Sequence, residues 1–191
     1  MAPFHIVGVP GSLRARSFNR ALLRAAAGLV PSGATFEIVE LHGVPPYDDD
    51  RDENRGGHDT PAAVIELRAR SAAADALVLA SPEYNWGPSG VMKNAIDWLS
   101  RPPQDSPLRH KPVALMGCSG GAAGTGRAQL HLRQYLAFLA TYVLPEPQVQ
   151  IGFSRERFDD DLRLVDEEAV RLVGEQLAAL VRWAGVVREL A

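Results

Sequence analysis

Two short stretches of this chain are apolar at every position: Ala76-Leu77-Val78-Leu79-Ala80 and Pro112-Val113-Ala114-Leu115-Met116-Gly117. A strand without a polar face must be covered on both sides, which is the condition of a central strand in a helix-flanked parallel sheet. Phe4 to Val9 reads as a third such strand, with only His5 polar. Thr35 to Leu41 alternates, with Phe36, Ile38 and Leu41 on one face, so it is half-buried and belongs at an edge. Val149 to Ile151 is a last short strand. Helical patterns lie between these strands, over Ser17–Val30, Thr60–Ala74, Val91–Leu99 and Arg127–Tyr142. A final amphipathic helix runs from Asp161 to about Ala184. Thr60-Pro61 reads as an N-cap with proline at the first helical position. Strand and helix alternating five times predicts an α/β domain, doubly wound, with right-handed crossovers and the strand order 2-1-3-4-5.

Length fits one domain spanning residues 1–191. Hydrophobic residues are 46% and charged residues 23%, which excludes a largely disordered chain. One cysteine excludes an intramolecular disulfide and an all-cysteine metal site. There is no apolar run long enough for a transmembrane helix. The start, Met1-Ala2-Pro3-Phe4-His5, lacks the cationic and long apolar regions of a signal peptide, so the expected compartment is the cytoplasm. A net charge of −3 argues against nucleic acid or a membrane surface as partner. Arg14, Arg16, Arg20 and Arg24 precede the first acid, Glu37, and arginine is the better fork for phosphate.

Ligands of open α/β sheets bind at the carboxyl ends of the strands, by the topological switch point. The loops to read therefore follow strands 1, 3 and 4. The first, Gly11 to Asn19, lacks both the GxGxxG and the GxxxxGK[ST] patterns. Ser12, Ser17 and Asn19 with Arg14 at a helix start suit a phosphate monoester. Ser17 as a plain N-cap, with the arginines on a solvated face, explains the same residues equally well. The second loop, Ser81 to Gly90, sets Glu83, Tyr84, Asn85 and Trp86 directly after a buried strand. It can meet the edge of a planar heterocycle, or simply cover the sheet end. The third, Gly117 to Gly126, holds five glycines in ten residues and can form an anion nest or a flexible loop.

Together the loops resemble the NAD(P)H-dependent FMN reductases of flavodoxin-like fold, which include bacterial quinone and chromate reductases. The resemblance rests on Gly11-Ser12-Leu13-Arg14-x-x-Ser17-x-Asn19, and on Ser81-Pro82-Glu83-Tyr84-Asn85 followed by Gly90-Val91-Met92-Lys93-Asn94-Ala95-Ile96-Asp97-Trp98-Leu99-Ser100-Arg101. It continues in Ser119-Gly120-Gly121 with Gly126-Arg127-Ala128-Gln129. It implies a flavodoxin-like fold and non-covalent FMN. Ser12, Arg14, Ser17, Phe18 and Asn19 would hold the phosphate. Pro82, Glu83, Tyr84, Asn85 and Trp86 would line the isoalloxazine, and Ser119, Gly120 and Gly121 would meet its pyrimidine side. One departure stands out: the family usually reads Pro-Gly where this chain has Ser89-Gly90, with proline moved to Pro88.

The implied activity is hydride transfer from NADPH or NADH, then transfer to a small acceptor such as a quinone. The flavin carries that chemistry, so no side chain is assigned as acid or base, and backbone donors near Ser119 and Gly120 would stabilise the reduced ring. Nicotinamide and acceptor would share one open face, bordered by Tyr84 and Trp86, in ping-pong order. Excess arginine near the strand 1 and strand 4 loops favours NADPH. A non-catalytic flavin-binding electron carrier or sensor is the alternative, and a nucleotide-binding domain without flavin a third reading.

Cys118 reads as a small buried hydrophobe rather than a catalytic thiol. The five histidines show no metal-ligand spacing, and no metal is expected. Glu83 and Asp97 read as capping and surface pairing before acid/base work. The segment His42–Asp59 reads as a long functional or mobile loop. The helices Val91–Leu99 and Arg127–Tyr142 show apolar residues on more than one face. These include Met92, Ile96, Trp98, Tyr135, Phe138 and Tyr142, which predicts a homodimer or homotetramer.

Overall fold

The computed structural model describes residues 3–189; Met1 and Ala2 of the N-terminal reading lie outside them, as do Leu190 and Ala191. A parallel sheet is built from β1 (Phe4–Pro10), β2 (Ala34–Ile38), β3 (Ala76–Ala80) and β6 (Pro112–Cys118), with β7 (Tyr142–Val143) and β8 (Val149–Ile151). Its order is β2-β1-β3-β6-β7, with β8 also on β6, so the doubly wound fold stands as expected. A hairpin of β4 (Glu83–Tyr84) and β5 (Gly87–Pro88) rises from the end of β3.

The helices are α1 (Phe18–Ala27), α2 (Ala62–Ala73), α3 (Gly90–Leu99), α4 (Gly126–Phe138), α5 (Ser154–Arg157) and α6 (Glu167–Arg188). Strand residues alternate between two cores because successive side chains leave opposite faces of a sheet. Ile6, Val78 and Met116 pack under α1 and α6. Val7, Leu77 and Leu115 pack under α2, α3 and α4 through Leu67, Met92, Ile96 and Leu132. Every residue of β3 and β6 is buried, whereas β2 at the edge is only half-buried.

Several boundaries differ from the sequence reading. The fifth strand position is two strands: β7 pairs the beginning of β6 and β8 pairs its end. Pro145 and Pro147 lie between them and lack the N–H a ladder needs. The freed carbonyls of Leu144 and Pro147 accept instead from Arg133 and Gln176. Tyr142 therefore sits in a strand, and α4 stops at Phe138. The last helix starts at Glu167, where the Asp166 carboxylate accepts from the Ala169 N–H at 2.8 Å, not at Asp161. Thr60 is not an N-cap; Pro61 occupies that position. The Thr60 hydroxyl accepts from the Glu53 N–H and donates to the Arg51 carbonyl, closing the preceding loop.

That loop is pinned rather than loose. Asp52 is fully buried, and its carboxylate takes both ends of the Arg68 guanidinium, at 3.0 and 2.6 Å. The Pro45 carbonyl accepts from Trp98 Nε1 and Asn94 Nδ2, each at 2.8 Å. The extra apolar face expected on α3 is thus filled within the chain, since Met92, Ala95, Ile96, Trp98 and Leu99 are all buried. On α4, by contrast, Phe138 is 89% and Leu130 61% exposed. No described helix is long and apolar enough to cross a membrane.

Candidate functional site

The ends of three neighbouring strands define the site. Register pairs Pro10 with Ala80 and Ala80 with Met116, so the loops after β1, β3 and β6 leave the sheet side by side. Small groups allow this crowding. A Cβ on Gly117 would collide with the Ser81 carbonyl, so glycine is what lets the ends of β3 and β6 stay this close.

In the first loop, Ser12 and Ser17 are buried and Arg14 is exposed. Ser17 caps α1, its Oγ accepting from the Arg20 N–H at 3.2 Å. The hydroxyl proton meets no acceptor among the described residues, so the capping and anion-binding readings are compatible. The Phe18 and Asn19 N–H groups have no acceptor among the described residues and lie at the positive end of the α1 dipole. Two side chains do less than expected. The Phe18 ring is turned to Phe158, with centroids 5.2 Å apart, so only its backbone faces the site. The Asn19 amide donates to the Cys118 carbonyl and accepts from the Cys118 N–H, both at 3.0 Å. It joins the first loop to the end of β6 instead of presenting a free amide.

In the second loop, Pro82 is buried under the hairpin, while Tyr84 and Trp86 are exposed, Trp86 by 69%. Asn85 and Trp86 form the two-residue turn with φ of 49° and 68°. This is the left-handed pairing of a type I′ hairpin, easy for Asn and strained for Trp. Holding a bulky residue there costs on the order of 1–3 kcal/mol. The neighbours supply the restraint. Arg127 lays its guanidinium 4.8 Å from the Trp86 ring centroid, and Glu83 accepts from Arg127 Nε at 2.6 Å. The nearly buried Glu83 carboxylate also accepts from the Arg127 and Ala128 N–H groups, at 3.0 and 3.1 Å. Glu83 is therefore the cap of α4, for which Thr125 makes no side-chain bond. Asp97 pairs with Lys93 at 2.7 Å, one turn away on α3.

The third loop requires a correction. The Ser119 N–H donates to the Ile151 carbonyl at 3.0 Å, so it is not a free donor. Gly120 and Gly121 are exposed, their N–H groups meet no acceptor among the described residues, and a Cβ on either would point into open space. The free donors therefore begin one residue later than expected. Beside them Cys118 is buried, and that burial pushes its thiol up to about 12. A thiol so far from ionisation is no nucleophile near neutral pH.

Two residues outside the expected set hold the loops together. Ser89 donates to the Gly11 carbonyl at 2.6 Å and accepts from the Met92 N–H at 3.1 Å, while its own N–H donates to Ser81 Oγ at 3.2 Å. It joins the first and second loops. Arg127 joins the second and third. One signal for it was in the sequence: a cation in the first turn of a helix opposes the dipole and needs a reason.

A family model described as NADPH-dependent FMN reductase matches residues 4–156. An NAD(P)H-dependent FMN reductase of Pseudomonas aeruginosa is 45% identical over 183 residues, covering 96% of each chain. A protein of Burkholderia sp. named 2-hydroxy-1,4-benzoquinone reductase is 37% identical, covering 93% of this chain and 94% of that one. Among solved structures, the flavoenzyme NAD(P)H:(acceptor) oxidoreductase FerB from Paracoccus denitrificans superposes with a TM-score of 0.83. It is 30% identical, over 95% of this chain and 97% of its own.

Proposed function

The chain belongs to the NADPH-dependent FMN reductase family, and from that premise we propose how its residues hold FMN and serve NAD(P)H and a quinone in turn. It is an oxidoreductase of flavodoxin-like fold that uses FMN and NAD(P)H. One observation carries the proposal. Free donors at the α1 N-terminus and at Gly120–Gly121 flank, from two sides, the Tyr84–Trp86 hairpin at the end of the intervening strand. The first set suits a phosphate monoester and the second the hydrogen-bonding edge of a flat ring, the two polar parts of FMN.

Ser12 and Ser17 hydroxyls, the Arg14 fork and the Phe18 and Asn19 N–H groups would hold the phosphate. Gly120 and Gly121 N–H groups would meet the pyrimidine edge, where donors favour negative charge. Pro82 and Tyr84 would border the ring. When bound, FMN supplies the hydride chemistry. The protein's part is to position, to exclude water from one face and to leave the other open. Tyr84 and Trp86 would rim that open face, where nicotinamide and acceptor would stack in turn because only one ring can lie over the reacting atom at a time.

A quinone is the favoured acceptor class, in keeping with the names of several relatives. Those names also weigh against a non-catalytic carrier. Initial velocities with NADPH and a quinone should give parallel double-reciprocal lines; intersecting lines, which mean a ternary complex, overturn the shared face. The exposed Leu130 and Phe138 support a homodimer or homotetramer, with a second subunit closing the rim. A monomer by light scattering at micromolar concentration overturns that part. The compartment proposed is the cytoplasm, where a lone buried thiol stays reduced.

A further inference from the structure

Arg127 is used only in part by the contacts that hold it. Its backbone N–H and Nε are consumed by Glu83, and the face of its guanidinium lies against Trp86. Neither Nη meets an acceptor among the described residues, and the side chain is 42% exposed. Stacking occupies the face of a guanidinium and leaves its edge free to donate in-plane. The group is also costly to place. It sits at the positive end of α4, on a Trp forced to φ 68°. Capping α4 would need only the Glu83 carboxylate, which already takes two backbone N–H groups there. The spare feature is therefore a fixed, flat, cationic edge at the rim of the open face. Glu83 pairs with the Arg127 Nε alone, and His131 stands beside Gly87 of the same hairpin.

We propose that Arg127, clamped by Glu83 and laid on Trp86, is a specificity-determining residue that selects planar acceptors bearing an anionic oxygen, ionised hydroxyquinones above all. The inference rests on the quinone reading above. An oxygen anion in the plane of a ring lying across the open face would meet the Nη edge, and a neutral quinone would meet the same edge with a weaker acceptor.

The test uses the FMN-loaded protein and two probes: 2-hydroxy-1,4-naphthoquinone, ionised at neutral pH, and neutral 1,4-naphthoquinone. Binding to the oxidised protein is followed by quenching of tryptophan fluorescence, and kcat and KM are measured separately. Arg127→Gln should weaken the hydroxyquinone about 10- to 100-fold, as loss of a charge-assisted bond does, and should shift the neutral probe less than about twofold. Arg127→Lys should fall between. Added salt should weaken the anion in the wild type and hardly at all in Arg127→Gln. Flavin content and melting temperature check that each variant is folded. Equal loss of both probes shows that Arg127 only shapes the hairpin and overturns the proposal. So does an effect confined to the KM of NADPH, which would assign the guanidinium to the nucleotide. If neither probe accepts electrons in the wild type while NADPH still reduces the flavin, the quinone reading itself has failed; fluorescence binding still judges Arg127.

Discussion

Ser89→Ala removes one oxygen at the meeting point of two loops, and its cost can be worked from the contacts. The hydroxyl, 2% exposed, accepts from the Met92 N–H as the cap of α3 and donates to the Gly11 carbonyl. Losing the cap costs about 1 kcal/mol. The Gly11 carbonyl, left without that donor beside a buried strand end, costs about 1–3 kcal/mol more. The two sum to about 2–4 kcal/mol, which for a chain of this size lowers the melting temperature by about 4–16 °C. Ser89→Pro also deletes the N–H that donates to Ser81 Oγ and should cost more than alanine. Gly11 adjoins Ser12, so flavin affinity should fall in both variants; stability is therefore compared at saturating FMN. Ser100→Ala, at the other end of the same helix, removes only a bond to the Asp97 carbonyl and serves as the control. Thermal denaturation followed by circular dichroism decides the matter. A Ser89→Ala melting temperature within 1 °C of the wild type refutes the idea that this serine joins the loops.

Arg14→Ala should weaken FMN by about 1.5–3 kcal/mol and riboflavin hardly at all, by flavin fluorescence titration; equal loss of both means Arg14 does not touch the phosphate. Asp52→Ala leaves the Arg68 guanidinium without its buried partner and should cost about 3–5 kcal/mol in urea unfolding, with faster proteolysis between His42 and Asp59. Cys118→Ala should keep turnover and lose about 1 kcal/mol of stability; abolished activity with FMN still bound would give the thiol a role. Its raised folded-state value fixes the pH sign. The contribution is whole below the ordinary thiol value near 9 and is lost as pH rises toward 12, so the Cys118→Ala variant should show a shallower alkaline decline.

The parallel sheet was legible because β3 and β6 are apolar on both faces, a pattern that few folds accommodate. The three loops were legible because their position follows from topology once the strands are placed. The split of the last strand was hidden although Pro145 and Pro147 were in view. Prolines mark a break, but the side chains that take up the freed carbonyls, Arg133 from the preceding helix and Gln176 from the last one, are placed there only by the fold. The apolar excess on α3 was misread for the same reason. Its second face is covered by the 42–59 loop, through contacts some fifty residues apart such as Trp98 to Pro45.

By itself, the sequence determined the order of strands and helices, the strand ends where ligands gather and the residue types set there, since periodicity and turn chemistry are local properties. Tertiary structure alone decided which donors remain free. The Ser119 N–H is spent on Ile151 and the Asn19 amide on Cys118, while Gly120, Gly121 and the Arg127 edge are left over. Availability of a hydrogen-bonding group depends on every neighbour that could satisfy it first, and those neighbours meet only when the chain is folded.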